Sequence, residues 1–140
     1  MSKYISKTGK INLLDEKIYT FLSDFTNLKN IIPADKVSDF SATADSCQFT
    51  VSGLGKAGLK MVEKEPFKLI KITSNGGPFS FFFWIQLKPV DEETSSTALR
   101  LTLEAELNPM MRMVIGNQIQ NGLDKLVDYM VEYFNMKFNN

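Results

Sequence analysis

One long amphipathic stretch, from Asn108 to about Phe134, limits this chain's fold more than anything else in it. A helix of that length with a single apolar face has to lie on another layer of structure. Asn108 is a good N-cap, and Pro109 suits the first helical position, where its missing N–H is not needed and its fixed φ already fits. Ile115, Ile119, Leu123, Leu126, Met130 and Phe134 recur at spacings of three and four, while Asn117, Asn121, Asp124, Lys125, Asp128 and Glu132 fall on the other side. One face is buried and the other is wet.

At 140 residues the chain is read as one domain, residues 1–140, able to bury roughly two thirds of the surface its unfolded form exposes. Sixteen basic and sixteen acidic residues balance to zero without a long run of either sign, so there is no electrostatic footprint for nucleic acid or an anionic membrane. The expected partner is a small molecule. The single cysteine, Cys47, cannot form an internal disulfide, and no signal-peptide pattern opens the sequence, so a cytoplasmic location is expected. No apolar run approaches a membrane span. Eleven phenylalanines and seven methionines suit both a filled core and a pocket for an apolar ligand.

The remaining chain reads as a sheet with two short helices near its start. Tyr4 to Leu13 is a first strand. Asp15 caps a helix carrying Ile18, Phe21, Leu22 and Phe25, with Leu14 and Tyr19 as its hydrophobic staple. That helix breaks near Ser23 to Thr26, resumes through Leu28 and Ile31, and is ended by Pro33. From Lys36 the period becomes two: Val37–Thr43, Cys47–Ser52, Gly58–Glu65, Phe67–Ser74, Phe79–Val90 and Ser96–Leu107 are strands. Their turns are marked by Asp45-Ser46, Gly53 to Gly58, Glu65-Pro66 and Asn75-Gly76-Gly77-Pro78. Cys47, Phe49 and Val51 share one strand face, as do Phe79, Phe81, Phe83, Ile85 and Leu87. So do Leu99, Leu101, Leu103, Ala105 and Leu107, against a solvated face of Arg100, Thr102, Glu104 and Glu106.

This order, with Asp15 to Asp24 followed by Leu28 to Pro33, the glycine turn into Gly58-Leu59-Lys60, Glu65-Pro66-Phe67 before a strand, and the closing helix, resembles the START-like (SRPBCC) superfamily. Its members include polyketide cyclases, plant pollen allergens and lipid-transfer domains. The resemblance covers nearly the whole chain. Ile32-Pro33 and Gly53-Leu54-Gly55 also look like a carbon-monoxide dehydrogenase subunit family that is a branch of the same superfamily. The resemblance implies an α+β helix-grip fold: a curved antiparallel sheet wrapped around a long C-terminal helix, with two short helices after the first strand. A sheet curved around a helix predisposes to an internal cavity.

Several motifs have a plain reading beside the functional one. Gly53-Leu54-Gly55-Lys56-Ala57-Gly58 spells GxGxxG, but the next residues read as strand rather than the helix a pyrophosphate site needs, so a hairpin turn is expected. With no histidine in the chain, Ser-His and Cys-His nucleophiles and imidazole metal sites are excluded. Glu63 and Glu65 share a strand parity that suits a solvent side, and Cys47 reads as an inert buried thiol. Arg112 is the informative polar residue, placed in a first helical turn whose dipole disfavours it. It either reaches solvent or pairs with Glu104 or Glu106, or it anchors an acidic or carbonyl group of a ligand. Met110, Met111, Met113 and Val114 surround that turn on more sides than a core needs, and Phe82 and Trp84 point opposite to Phe81 and Phe83.

The resemblance and the apolar faces together imply binding of a small hydrophobic molecule, such as a lipid, a polyketide-like compound or an aromatic, between sheet and terminal helix. The candidate wall is Phe49, Val51, Met61, Phe81, Phe83, Leu101, Leu103, Met110 and Val114, with Arg112 and Asn117 as polar contacts. No catalytic residue, metal site or cofactor is assigned. The alternatives are a cyclase- or dehydratase-type enzyme using the same cavity, and a protein-interaction module or homodimer meeting its partner through Phe82 and Trp84.

Overall fold

The structure, a computed structural model, describes residues 1–32, 35–53, 55–77, 79–91 and 93–137; Pro33, Leu54 and Pro78, on which parts of the turn readings fell, lie outside them. Among the described residues eight strands form one antiparallel sheet. They are β1 (Ser2–Ile5), β2 (Gly9–Ile11), β3 (Val37–Ala42), β4 (Ser46–Val51), β5 (Gly55–Glu65), β6 (Leu69–Ser74), β7 (Phe81–Asp91) and β8 (Ser96–Ala105). The strand order is β1-β8-β7-β6-β5-β4-β3, with β2 also paired to β8. The α-helix α1 (Asp15–Leu22) and a 3-10 helix (Phe25–Asn30) follow β2, and α2 (Pro109–Lys137) closes the chain. The fold is therefore the expected helix grip.

Local chemistry explains where the elements depart from expectation. The first strand is two pieces because Ser6 puts its side chain where a carbonyl would be: Leu101 N–H donates to Ser6 Oγ at 2.8 Å, while Ser6 N–H donates to Leu101 O at 2.8 Å. Asp15 is not the cap of α1; Leu14 occupies that position without a side-chain bond, and Asp15 and Glu16 sit in the first turn, where the helix dipole favours them. Nor does the staple form. Leu14 is 47% exposed, and Tyr19 instead packs edge-on against Phe67 with ring centroids 5.7 Å apart. The break between the helices falls at Ser23–Asp24, where the Asp24 carboxylate caps the 3-10 helix by accepting from Thr26 N at 2.9 Å. β6 starts at Leu69 rather than Phe67, because Phe67 holds a left-handed φ of 67° in the turn closed by Lys68 N–H to Glu65 O.

The helix α2 is capped as the sequence implies: Asn108 Oδ1 accepts from Met111 N at 2.8 Å. Its core-facing stripe is Gly116, Leu123, Val127, Met130 and Phe134, with Ile115, Ile119 and Leu126 half-buried. These meet Ile70, Ile72, Ile85, Leu87, Leu99 and Leu101 of the sheet, together with Ile18, Leu22 and Phe25 from the two short helices, in one core. On the outer face of β8 the alternation is imperfect. Arg100 is exposed, but Thr102 is buried, opposite Trp84 and donating to Gln86 Oε1 at 3.1 Å.

Candidate functional site

Two glycines set how α2 lies on the sheet. A methyl on Gly9 of β2 would stand 2.6 Å from Val131 and 2.7 Å from Val127, and one on Gly116 would stand 3.1 Å from the Tyr4 hydroxyl oxygen. At Gly9 the helix comes down onto the strand itself, whereas at Gly116 a tyrosine side chain stands between them. The result is a grip closed at one end. Leu123, Val127, Met130 and Phe134 are buried, while Met110, Met113 and Val114 in the first turns are 75%, 85% and 67% exposed. Facing that end of the helix, Phe81, Phe83 and Leu103 are only half-buried, and Phe83 and Leu103 stand opposite each other in the β7–β8 register.

The candidate wall is distributed over three places. Met61 and Leu101 are sealed in the core, and Phe81, Phe83 and Leu103 line the sheet toward the first turns of α2, where Met110 and Val114 stand exposed. Phe49 stacks on Phe40 with centroids 6.5 Å apart and borders a recess of about 390 Å³ formed by β3, β4, β5 and the turn at Asn75 to Gly77. Val51, half-buried, pairs with Gly55 on the same side of the sheet as Phe49. Arg112 and Asn117 border a groove of about 490 Å³ between β1 and α2, whose other residues include Lys3, Tyr4, Gly116 and Gln120. Gln120 closes one end by donating to Ile5 O at 2.8 Å.

Arg112 is exposed. The two ion pairs among the described residues are Lys7–Asp128 and Lys64–Asp45, so neither Glu104 nor Glu106 holds its guanidinium. Its backbone N–H makes an early helical bond, to Asn108 O.

Tyr4 was not a sequence candidate. Its alternation with Ser2 and Ser6 puts it on the helix-facing side of β1, opposite Leu103. Its hydroxyl is the one buried side-chain polar atom among the described residues that finds no hydrogen-bond partner. Leaving such a group unpaired costs about 1–3 kcal/mol. Nothing local in the sequence flags it, because the tyrosine and the glycine it meets come from opposite ends of the chain.

Two titrating groups are displaced by their surroundings. Burial pushes the Cys47 thiol up to about 11, which makes it an inert core thiol as expected. Asp24 is held below its ordinary value, first by the Thr26 hydroxyl and then by the Thr26 N–H, against a smaller opposing effect of burial; its role is capping. Among the described residues, no three carboxylates or thiols come together as a metal cluster would need, and no helix is long and apolar enough to cross a membrane. The glycine-rich motif is a hairpin: Gly53, with a φ of 85°, follows β4, and Gly55, with a φ of 98°, opens β5 three residues before the expected start at Gly58, so the motif leads into strand rather than helix.

No family model matches the chain, and no curated protein matches it. Solved structures do. A START superfamily protein from Mycobacterium smegmatis is 18% identical, with a TM-score of 0.66 over 94% of this chain and 97% of that one. The solution structure of the Aha1 dimer from Colwellia psychrerythraea is also 18% identical, with a TM-score of 0.72 over 97% of this chain and 98% of that one. The di-domain ARO/CYC BexL from the BE-7585A biosynthetic pathway reaches a TM-score of 0.78 at 11% identity, over 100% of this chain and 48% of that one. Identities this low carry the fold and nothing finer.

Proposed function

We propose, on the premise that this chain has the START-like helix-grip fold, that residues 1–140 form one cytoplasmic domain that binds a small hydrophobic molecule between the sheet and the first turns of α2. One observation carries this reading: the grip is closed over Leu123 to Phe134 and unclosed over Met110 to Val114, where apolar side chains of helix and sheet are both left partly uncovered. Apolar surface left facing apolar surface is what a ligand of matching chemistry covers. Phe81, Phe83, Leu103, Met110 and Val114 form the wall, and Arg112 stands at the mouth for an acidic or carbonyl end. Phe49 and Val51 extend the same face toward the far edge of the sheet.

The test is native mass spectrometry of protein purified from its own host, followed by extraction of whatever co-purifies. A stoichiometric apolar species that Phe83→Ala weakens is the expected result. Protein without such a species, unstabilised by a panel of lipids and aromatic compounds, would overturn the reading. If the extracted molecule is chemically altered on incubation, the same site is that of a cyclase- or dehydratase-type enzyme.

A second reading rests on the outer face of the sheet, where Phe82 and Trp84 lie with centroids 6.0 Å apart. A second copy of the chain meeting that aromatic pair would form a dimer, a state in which the Aha1 relative was solved.

A further inference from the structure

The unpaired Tyr4 hydroxyl is placed where a ligand's polar end would be read. Tyr4 stands beside Leu103 on the helix-facing side of the sheet, and Leu103 in turn stands beside Phe83. An apolar body lying on Phe83 and Leu103 therefore ends at the tyrosine ring. Tyr4 and Gly116 also border the groove that holds Arg112, and Arg112 is one helical turn from Gly116. Tyr4, at the end of that apolar face, and Arg112 thus line one groove between β1 and α2. Lys3 borders the same groove and stands opposite Glu104 in the β1–β8 register.

A phenolic hydroxyl both donates and accepts. Beside an arginine, the complementary group is an oxygen acceptor carrying negative charge, which takes a hydrogen bond from the phenol and a charge-assisted one from the guanidinium. We propose that Tyr4 is the specificity-determining residue of the binding site and that its ligand is an amphipathic molecule: an apolar body with a carboxylate-like oxyanion at one end. This rests on the binding reading above and narrows it from any small apolar molecule to an acidic one. Because the hydroxyl already lost its water on folding, an incoming acceptor recovers a bond without paying that desolvation again.

Two fluorescent probes separate this from the broader reading. Anilinonaphthalene sulfonate and phenylnaphthylamine share one apolar skeleton and differ by the sulfonate, which stands in for the ligand's oxyanion. The wild-type protein is expected to bind both, the sulfonate about tenfold tighter, as one hydrogen bond to a charged acceptor implies. Tyr4→Phe should cut that preference severalfold, the Arg112 contribution remaining, while leaving the affinity for phenylnaphthylamine unchanged and, because it removes a buried unpaired hydroxyl, the melting temperature equal or higher. Arg112→Gln, at an exposed position, should lower sulfonate affinity alone. Equal binding of the two probes by the wild type, or a preference that Tyr4→Phe leaves undiminished, overturns the role of Tyr4 and leaves the apolar site standing. Failure of the wild type to bind either probe overturns both.

Discussion

Gly116 is under two opposed demands. A glycine inside a helix costs about 1 kcal/mol relative to alanine, yet a methyl there would stand 3.1 Å from the Tyr4 hydroxyl, with the ring carbons farther off at 3.8 and 3.9 Å. The hydroxyl alone makes the position tight. Gly116→Ala should therefore stabilise a Tyr4→Phe background by about 1 kcal/mol and the wild type by markedly less. Urea unfolding of the four proteins measures the coupling, and strict additivity would show that the hydroxyl does not seat on the helix. At this scale the sequence is readable where chemistry is local. Gly53 of the Gly53–Gly58 motif could be assigned to a turn from the strand pattern after it, although Gly55 and Gly58 already belong to β5, and the Asn108 cap could be assigned from Pro109 beside it. The contact of Tyr4 with Gly116 has no local signature, and the failure of Asp15 to cap α1 came from a one-residue shift in where the helix begins.

Among the elements, the docking of α2 on β2 has the least tolerance. Val127 and Val131 are β-branched and stiff at χ1, so neither can turn away from a methyl at Gly9 that would stand 2.6 to 2.7 Å from them. Gly9→Ala should destabilise the protein by about 1–3 kcal/mol. A thermal melt reads the loss, and hydrogen exchange should place it in the second half of α2 rather than in its first turns. An unchanged melt would mean that the helix can slide along the strand at no cost. The long helix, the later strands and their parity were legible because a period of two or of three and four, sustained over many residues, survives any tertiary adjustment. The break between β1 and β2 was not, because one serine hydroxyl taking the place of a carbonyl leaves no trace in hydropathy. The start of β6 slipped for a similar reason, a left-handed Phe67 being a backbone state its residue type does not announce.

For the molecule as a whole, the question is whether its outer sheet face meets another copy. Lys71 Nζ lies 4.7 Å from the Phe82 ring centroid and 5.3 Å from that of Trp84, so the aromatic pair already has a cation over it. The dimer reading predicts elution at the dimer volume on a sizing column, returned to the monomer volume by Trp84→Asp. Monomer elution across concentrations would leave that face to Lys71 alone. The fold was legible at this scale because the order of elements is distinctive even where each motif is weak. The site was less so. Strand parity correctly puts Phe81, Phe83 and Leu103 on one side, but parity says nothing about distance along a curved sheet, and Phe49 ends up beside Phe40, at a recess of its own.

The two rims of that sheet are finished differently. One, at β1 and β2, lies under α2. The other, β3, lies beside the 3-10 helix rather than under α2, and there Asp39, with a left-handed φ of 55°, and Phe40 together oppose the single residue Phe49, shifting the register between Ser38 and Ser41. A strand with such a bulge, and with a carboxylate set into it, cannot zip onto a neighbouring chain in continuous register. The extra residue in β3 therefore acts as a guard against fibre growth, protecting a chain with no net charge to keep its copies apart.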